Sequence, residues 1–135
     1  MIYQLEIDIP RQGLHDVTGK VAEIVHAVRI EEGLCTLFIR HTSASLLIQE
    51  NADPSARRDL ERWLNRLVPE EDRLYTHTQE GADDMPSHIK AALTATSLSI
   101  PILGGQLALG SWQGIYIWEH RRAATRRQLV IHIGH

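Results

Sequence analysis

Between Met1 and Pro10 the chain alternates: Tyr3, Leu5, Ile7 and Ile9 fall on one face, and Gln4, Glu6 and Asp8 on the other. A period of two fits a half-buried strand, whose apolar face needs a covering layer and whose edges need partner strands. Pro10 and Gly13 end it. From Thr18 the period changes, with Val21, Ile24, Val25 and Val28 at three- and four-residue steps, which predicts a helix over Gly19 to Arg29 with Thr18 as N-cap. Leu34 to His41 then reads as a largely buried strand and Ala44 to Gln49 as another. Asn51-Ala52-Asp53-Pro54 is a helix start, because Asp53 accepts from orphan amides while Pro54 sits where its missing N–H costs nothing. This helix runs to about Leu67 with Ala56, Leu60, Trp63, Leu64 and Leu67 as its apolar stripe, and Pro69 stops it.

Pro86 opens a short third helix, Ser87 to about Thr94, with Ile89 and Leu93 facing inward and His88 in its first turn. The last third is strand-rich: Leu98 to Leu103, a Gly104-Gly105 turn, Gln106 to Leu109, Trp112 to Arg121, and Gln128 to Ile133. Arg121, Arg122, Arg126 and Arg127 surround Ala123-Ala124-Thr125 and read as a solvated hairpin tip in preference to a phosphate-binding patch. Helices alternating with strands, followed by a run of strands, give an α+β fold, and 135 residues suit a single domain, 1–135.

Several function classes drop out. No apolar run reaches membrane-spanning length and Met1 to Pro10 has no signal-peptide pattern, so the expectation is a cytoplasmic protein without membrane contact. A net charge of −3 argues against a nucleic-acid surface. Cys35 is the only cysteine, which excludes an intrachain disulfide or a cysteine zinc cluster, and its flanks predict a buried, inert thiol. Neither a Walker loop, a dinucleotide glycine fingerprint nor a Gly-x-Ser-x-Gly elbow is present.

The unusual figure is eight histidines. The polar run from Leu74 to Ala92 packs His77, Glu80, Asp83, Asp84 and His88 around Gly81 and Pro86, more ionisable groups than a fold requires of a loop. His41 ends a buried strand, His88 begins a helix and His120 lies near the end of a strand. With His77 they give four candidates for a site of three imidazoles suited to zinc or a similar divalent ion. The ordinary reading of a strand-end histidine is a hydrogen-bonded boundary residue, and it is adopted for His15, His26, His132 and His135. Glu119 and His120 point to opposite sheet faces if their strand is regular. Asp83 and Asp84 could orient an imidazole, ligate a magnesium-bound phosphate or simply make the turn. Gly110 and Gly114, flanking Trp112 and Gln113, mark close approach by a ligand or another subunit. Asn51 and Asp53 also fit capping of the second helix, and Glu50 also fits a plain strand-end acid.

Three long segments, HTSASLLIQENADPSARRDL, HTQEGADDMPSHIK and LALGSWQGIYIWEHRR, together with Gly13 to Thr18, closely resemble the YjbQ-like family, whose members are described as secondary thiamine-phosphate synthases. The resemblance implies a compact fold with a β-sandwich-like core, assembly as a homotrimer, and a common pocket, expected between subunits. It implies metal binding by histidines, and the position of His41, His77, His88 and His120 at element ends and in the loop makes three of these four the expected ligands, with zinc or magnesium as the ion. Glu50, Asp84, Glu119 and Arg121 would be the catalytic groups, and Thr42, Ser43, Asn51, Asp53, Asp83 and Gln113 would contact substrate. The implied reaction joins a pyrimidine diphosphate to a thiazole phosphate with loss of pyrophosphate, whose departure the divalent ion and Arg121 would assist. Two other readings stay open: a metal-dependent hydrolase of a small phosphorylated or acidic metabolite with Glu50, Asp84 or Glu119 as general base, and a non-catalytic trimer that binds a metabolite or metal.

Overall fold

A computed structural model describes all residues, 1–135. The opening alternation is strand β1 (Ile2–Ile9), followed by β2 (Gly13–Asp16), helix α1 (Thr18–Val28), β3 (Glu32–Ile39) and β4 (Ala44–Glu50). Helices α2 (Pro54–Leu67) and α3 (Asp84–Leu93) come next, and β5 (Ser97–Leu103), β6 (Gln106–Leu107), β7 (Gln113–Glu119) and β8 (Thr125–Gly134) complete the chain. The strands form two antiparallel sheets, a larger one ordered β1-β8-β3-β5-β6 and a smaller one ordered β2-β7-β4.

Alternation explains how the layers meet. Ile7, Ile9, Cys35, Leu37, Ile39, Ile100, Leu129 and Ile131 turn the inner face of the larger sheet toward Ala44, Leu46, Ile115 and Ile117 of the smaller sheet, and Val21 and Val25 of α1 join this core. The opposite face of the smaller sheet carries Tyr116 and Trp118, which pack with Leu14 under Leu64 and Val68. Strand β7 is therefore covered on both faces, and α2 and α3 lie on the side away from the larger sheet. This is the expected α+β domain with a sandwich-like core. No helix is long and apolar enough to cross a membrane.

Several local expectations change. Helix α1 begins at Thr18, and its first turn is served by Asp16, whose carboxylate accepts from the Thr18 amide at 2.8 Å. The Thr18 hydroxyl instead accepts from the Ile115 amide at 2.8 Å, tying helix to strand. Asp53 does cap α2, accepting from the Ser55 amide at 2.9 Å, but only Leu64 of the stripe is buried, while Trp63 and Leu67 are exposed. Helix α3 starts three residues early, at Asp84, and Leu93 faces out although Ile89 packs on the second core. Gly104 and Gly105, both with positive φ, make the expected two-residue hairpin between β5 and β6.

The arginine-rich segment is not a hairpin tip: β7 belongs to the smaller sheet and β8 to the larger, so residues 120–124 cross between layers. Gly114 meets its own chain. A Cβ there would lie 3.1 Å from the Asn51 Cβ and 3.3 Å from the Thr18 hydroxyl, which accounts for the glycine without ligand or subunit. Cys35 is fully buried, and that burial pushes its thiol up to about 11.

Candidate functional site

The segment between α2 and α3 delivers His77 to the start of α3, where Asp84 lies in the first turn and His88 one turn on, on the same face. Asp84 is the hub. Its Oδ2 faces His77 Nε2 at 2.6 Å and His88 Nε2 at 3.0 Å, while its Oδ1 accepts from the Arg121 guanidinium at 2.5 Å. Arg121 also donates to Asp83 Oδ2 at 3.1 Å and to the Glu80 carbonyl at 2.9 Å, and the Arg122 amide donates to Asp83 at 2.9 Å. Burial pushes the Asp84 carboxyl up, but His77, His88 and Arg121 together hold it below the usual carboxylate range. Asp83 behaves alike, with burial opposed by the Arg122 amide and Arg121. Both acids thus stay ionised.

His88 settles its own tautomer. Its Nδ1 lies 2.9 Å from the Thr42 carbonyl, which can only accept, so Nδ1 carries the proton. In a neutral ring Nε2 is then a bare lone pair, and it faces a carboxylate oxygen that is also a lone-pair donor. Such an arrangement calls for a cation between them, either a proton on the ring or a metal ion. The donor atoms of His77, Asp84 and His88 all lie within 4.8 Å of one another. The imidazoles are reachable: the His77 side chain is 43% exposed, against 3% for Asp84. A cavity of about 510 Å³ opens beside His77, bounded by Glu70, Asp72, Arg73, Tyr75 and Met85.

The other candidates lie elsewhere. Glu119, fully buried, is held by Arg127, by the Thr125 hydroxyl and by the Arg121 amide at 3.1 Å. Its carboxyl, pushed up by burial, is held low by Arg127 and Thr125. His120 is also buried, with Nε2 at 2.9 Å from the Ser45 hydroxyl, and burial reinforced by Lys90 and Arg127 lowers it to about 3. Ser43 accepts from Arg127 through its hydroxyl at 2.9 Å. His41 Nε2 accepts from the Gln128 amide at 2.8 Å, and burial, with Arg127, lowers its pKa. Thr42 reaches the centre through its carbonyl alone.

Glu50, Asn51 and Gln113 form a separate knot, beside which Asp53 is engaged only with Ser55 in capping α2. Glu50 accepts from the Ala52 amide at 3.0 Å, Asn51 donates to the Ser111 and Gln113 carbonyls at 3.2 Å each, and the Gln113 side chain accepts from the Gly110 amide at 2.8 Å. These contacts join the start of α2 to the start of β7. Residue-by-residue reading missed Glu70, Asp72 and Tyr75 at the cavity, although the acid run Glu70-Glu71-Asp72 after Pro69 was visible. It also missed the Arg122 amide, which no side-chain signal announces.

A sequence profile of the family described as UPF0047 protein YjbQ-like matches residues 3–135. A UPF0047 protein of Synechocystis sp. is 50% identical over 122 residues, covering 90% of this chain and 83% of that protein. The UPF0047 protein YjbQ of Escherichia coli O157:H7 is 42% identical over 133 residues and 96% of each chain. Among solved structures, an uncharacterised YjbQ/UPF0047 protein from Clostridium acetobutylicum superposes with a TM-score of 0.84 at 32% identity over 99% of each chain. A conserved hypothetical protein from Thermus thermophilus gives 0.85 at 31% identity, over 98% of this chain and 99% of that one.

Proposed function

Because the chain belongs to the YjbQ-like UPF0047 family, we propose that His77, Asp84 and His88 hold a divalent metal ion and that the protein acts there on a small phosphorylated or acidic metabolite. The observation that carries this reading is the pair of facing lone pairs, His88 Nε2 against Asp84 Oδ2 at 3.0 Å, with His77 completing the set. Two imidazoles and one carboxylate suit zinc with an open position better than magnesium, which prefers oxygen ligands. Such an ion, when bound, polarises a substrate oxygen and lowers the pKa of water.

The chain's own groups do the positioning. The Thr42 carbonyl fixes the His88 ring, Arg121 holds Asp84 by the oxygen turned away from the imidazoles, and Asp83 holds Arg121. Hydrolysis of a single substrate is the reading this arrangement favours, since it needs only the centre and the adjoining cavity. A thiamine-phosphate synthase-type joining of two substrates is the second reading, and the roughly 510 Å³ of that cavity favours it, being room enough for more than a phosphate. In that case a departing pyrophosphate would have to displace one of the contacts that engage Arg121. The reading takes the protein as a cytoplasmic homotrimer; Ile2, Leu34 and Phe38, exposed on the outer face of the larger sheet, support an interface there.

Metal analysis of untagged protein, paired with turnover assays, tests the proposal. We expect one zinc per chain in the wild type and none in His77→Ala or His88→Ala. Phosphate-ester turnover should vanish with the metal and need no thiazole partner, whereas turnover only with both thiamine precursors would select the second reading. A wild type that refuses zinc, magnesium and manganese would overturn the metal centre.

A further inference from the structure

A second hollow, of about 220 Å³, lies outside the histidine centre, between the loop before β2 and the first turns of α2. Arg11, Arg57 and Arg58 line it together with Gln12, His15 and the opening of α2 at Pro54. The chain carries 17 acids to 14 basic residues, and Arg121, Arg122, Arg126 and Arg127 are all ion-paired. Arg11, Arg57 and Arg58 enter no ion pair in the molecule. Three arginines line this hollow against a single carboxylate, that of Glu61, so positive charge is in excess there.

The acids nearby balance that charge only in part. Glu61 lines the hollow, but its Oε2 accepts from the Leu14 amide at 3.1 Å and it packs so closely on Gly13 that a Cβ there would lie 2.0 Å from that oxygen. Asp53 is turned to the Ser55 amide and hydroxyl of its own cap. His15 is fixed, with Nε2 2.7 Å from the Arg11 carbonyl, so Nε2 carries the proton and leaves Nδ1 open. The Arg57 guanidinium is braced over the Tyr116 ring, 5.9 Å from its centroid. The positive end of the α2 dipole adds to the same field. The volume is below that of a drug-sized pocket and suits a compact group.

We infer that Arg11, Arg57 and Arg58 form a binding site for a phosphate dianion, separate from the histidine centre. Gln12, which lines the hollow, donates to the His120 carbonyl at 3.0 Å, so the site adjoins the segment that carries Arg121. The phosphate is either the free ion or the phosphate group of a larger metabolite, since both offer the same oxygens to forked guanidiniums.

The test is titration of inorganic phosphate and of phenyl phosphate into the metal-free protein in a chelator, followed by calorimetry and by amide and imidazole NMR shifts. We expect saturable binding with shifts at Leu14, His15, Arg57 and Arg58. Arg11→Gln with Arg58→Gln, both exposed positions, should weaken it at least about tenfold, with thermal unfolding as the check that the variant folds. Arg62→Gln on the same helix, and His77→Ala, should leave it unchanged. Equal affinity for both probes would point to free phosphate, and tighter binding of the ester to a phosphorylated metabolite; either supports the site. No saturation at millimolar phosphate, or shifts confined to Gly81–Asp84 and insensitive to the arginine changes, would overturn it. Because the titration is metal-free and His77→Ala is included, failure here is separable from failure of the metal centre.

Discussion

Two of the molecule's carboxylate–guanidinium pairs, Asp84 with Arg121 and Glu119 with Arg127, have opposite fates. Around Glu119 both oxygens are consumed by Arg127, Thr125 and the Arg121 amide inside the sandwich. Around Asp84 one oxygen is consumed and the other is offered to two imidazoles at the surface. The side chains of Glu119 and Arg121, two residues apart, serve different networks because β7 ends between them, although the Arg121 amide still donates to Glu119. What separates a structural ion pair from a site is therefore an unsaturated valence that solvent can reach, and polarity or burial alone does not decide it.

The largest effect should come from opening the closed pair. Glu119→Ala leaves the Arg127 guanidinium buried without its partner, and about 3–5 kcal/mol of unfolding free energy should be lost in urea titrations. A loss under about 1 kcal/mol would mean that this network relaxes like a surface one. The centre should respond the other way round. His77→Ala or His88→Ala should lower zinc affinity at least about 100-fold, a little under 3 kcal/mol, while unfolding in chelator moves by less than about 1 kcal/mol. Equal losses of stability in both regions would erase the distinction.

Acid titration sharpens it further. His120, neutral in the fold with its pKa depressed to about 3, titrates near 6.5 once unfolded. The unfolded chain therefore binds the extra proton, so stability should fall as pH drops from 6.5 toward 3, by up to about 1.4 kcal/mol per unit. His120→Gln should flatten this limb, and an unchanged pH profile would count against the buried neutral ring. The smallest effect belongs to His41→Ala, which removes one acceptor for the Gln128 amide: about 1 kcal/mol of stability, with zinc stoichiometry unchanged.

What was legible in sequence was local. The alternation of β1, the Asp53-Pro54 start of α2 and the Gly104-Gly105 hairpin each follow from a few adjacent residues and a single backbone rule. So does the density of ionisable groups from His77 to His88, three of which meet as Asp84 at i and His88 at i+4 with His77 folded back. The division of the four histidines was not legible, because His41, His77, His88 and His120 all occur near element ends or in a loop. Their roles depend on which sheet the following strand joins. The crossover after β7 puts Arg127 beneath Glu119 and seats His120 against Ser45, and no local signal distinguishes a crossover from a hairpin tip. Trp63, Leu67 and Leu93 carry helical apolar spacing yet remain exposed, since periodicity finds a face without saying what covers it.

In the larger sheet β8 lies between β1 and β3, so the strand latest in sequence separates the earliest one from its nearest co-sheet neighbour. During synthesis β1 and β3 must wait on the ribosome without their shared partner, with a slot between them into which any free strand could pair. Arg127, carried on β8, reaches Glu119 only when that slot is filled, and with it the segment bearing Arg121 is drawn toward Asp84. The full set of contacts around Asp84 and Glu119 thereby needs the strand latest in sequence, and a nascent chain halted before β8 would expose His77, Asp84 and His88 without the completed scaffold beside them.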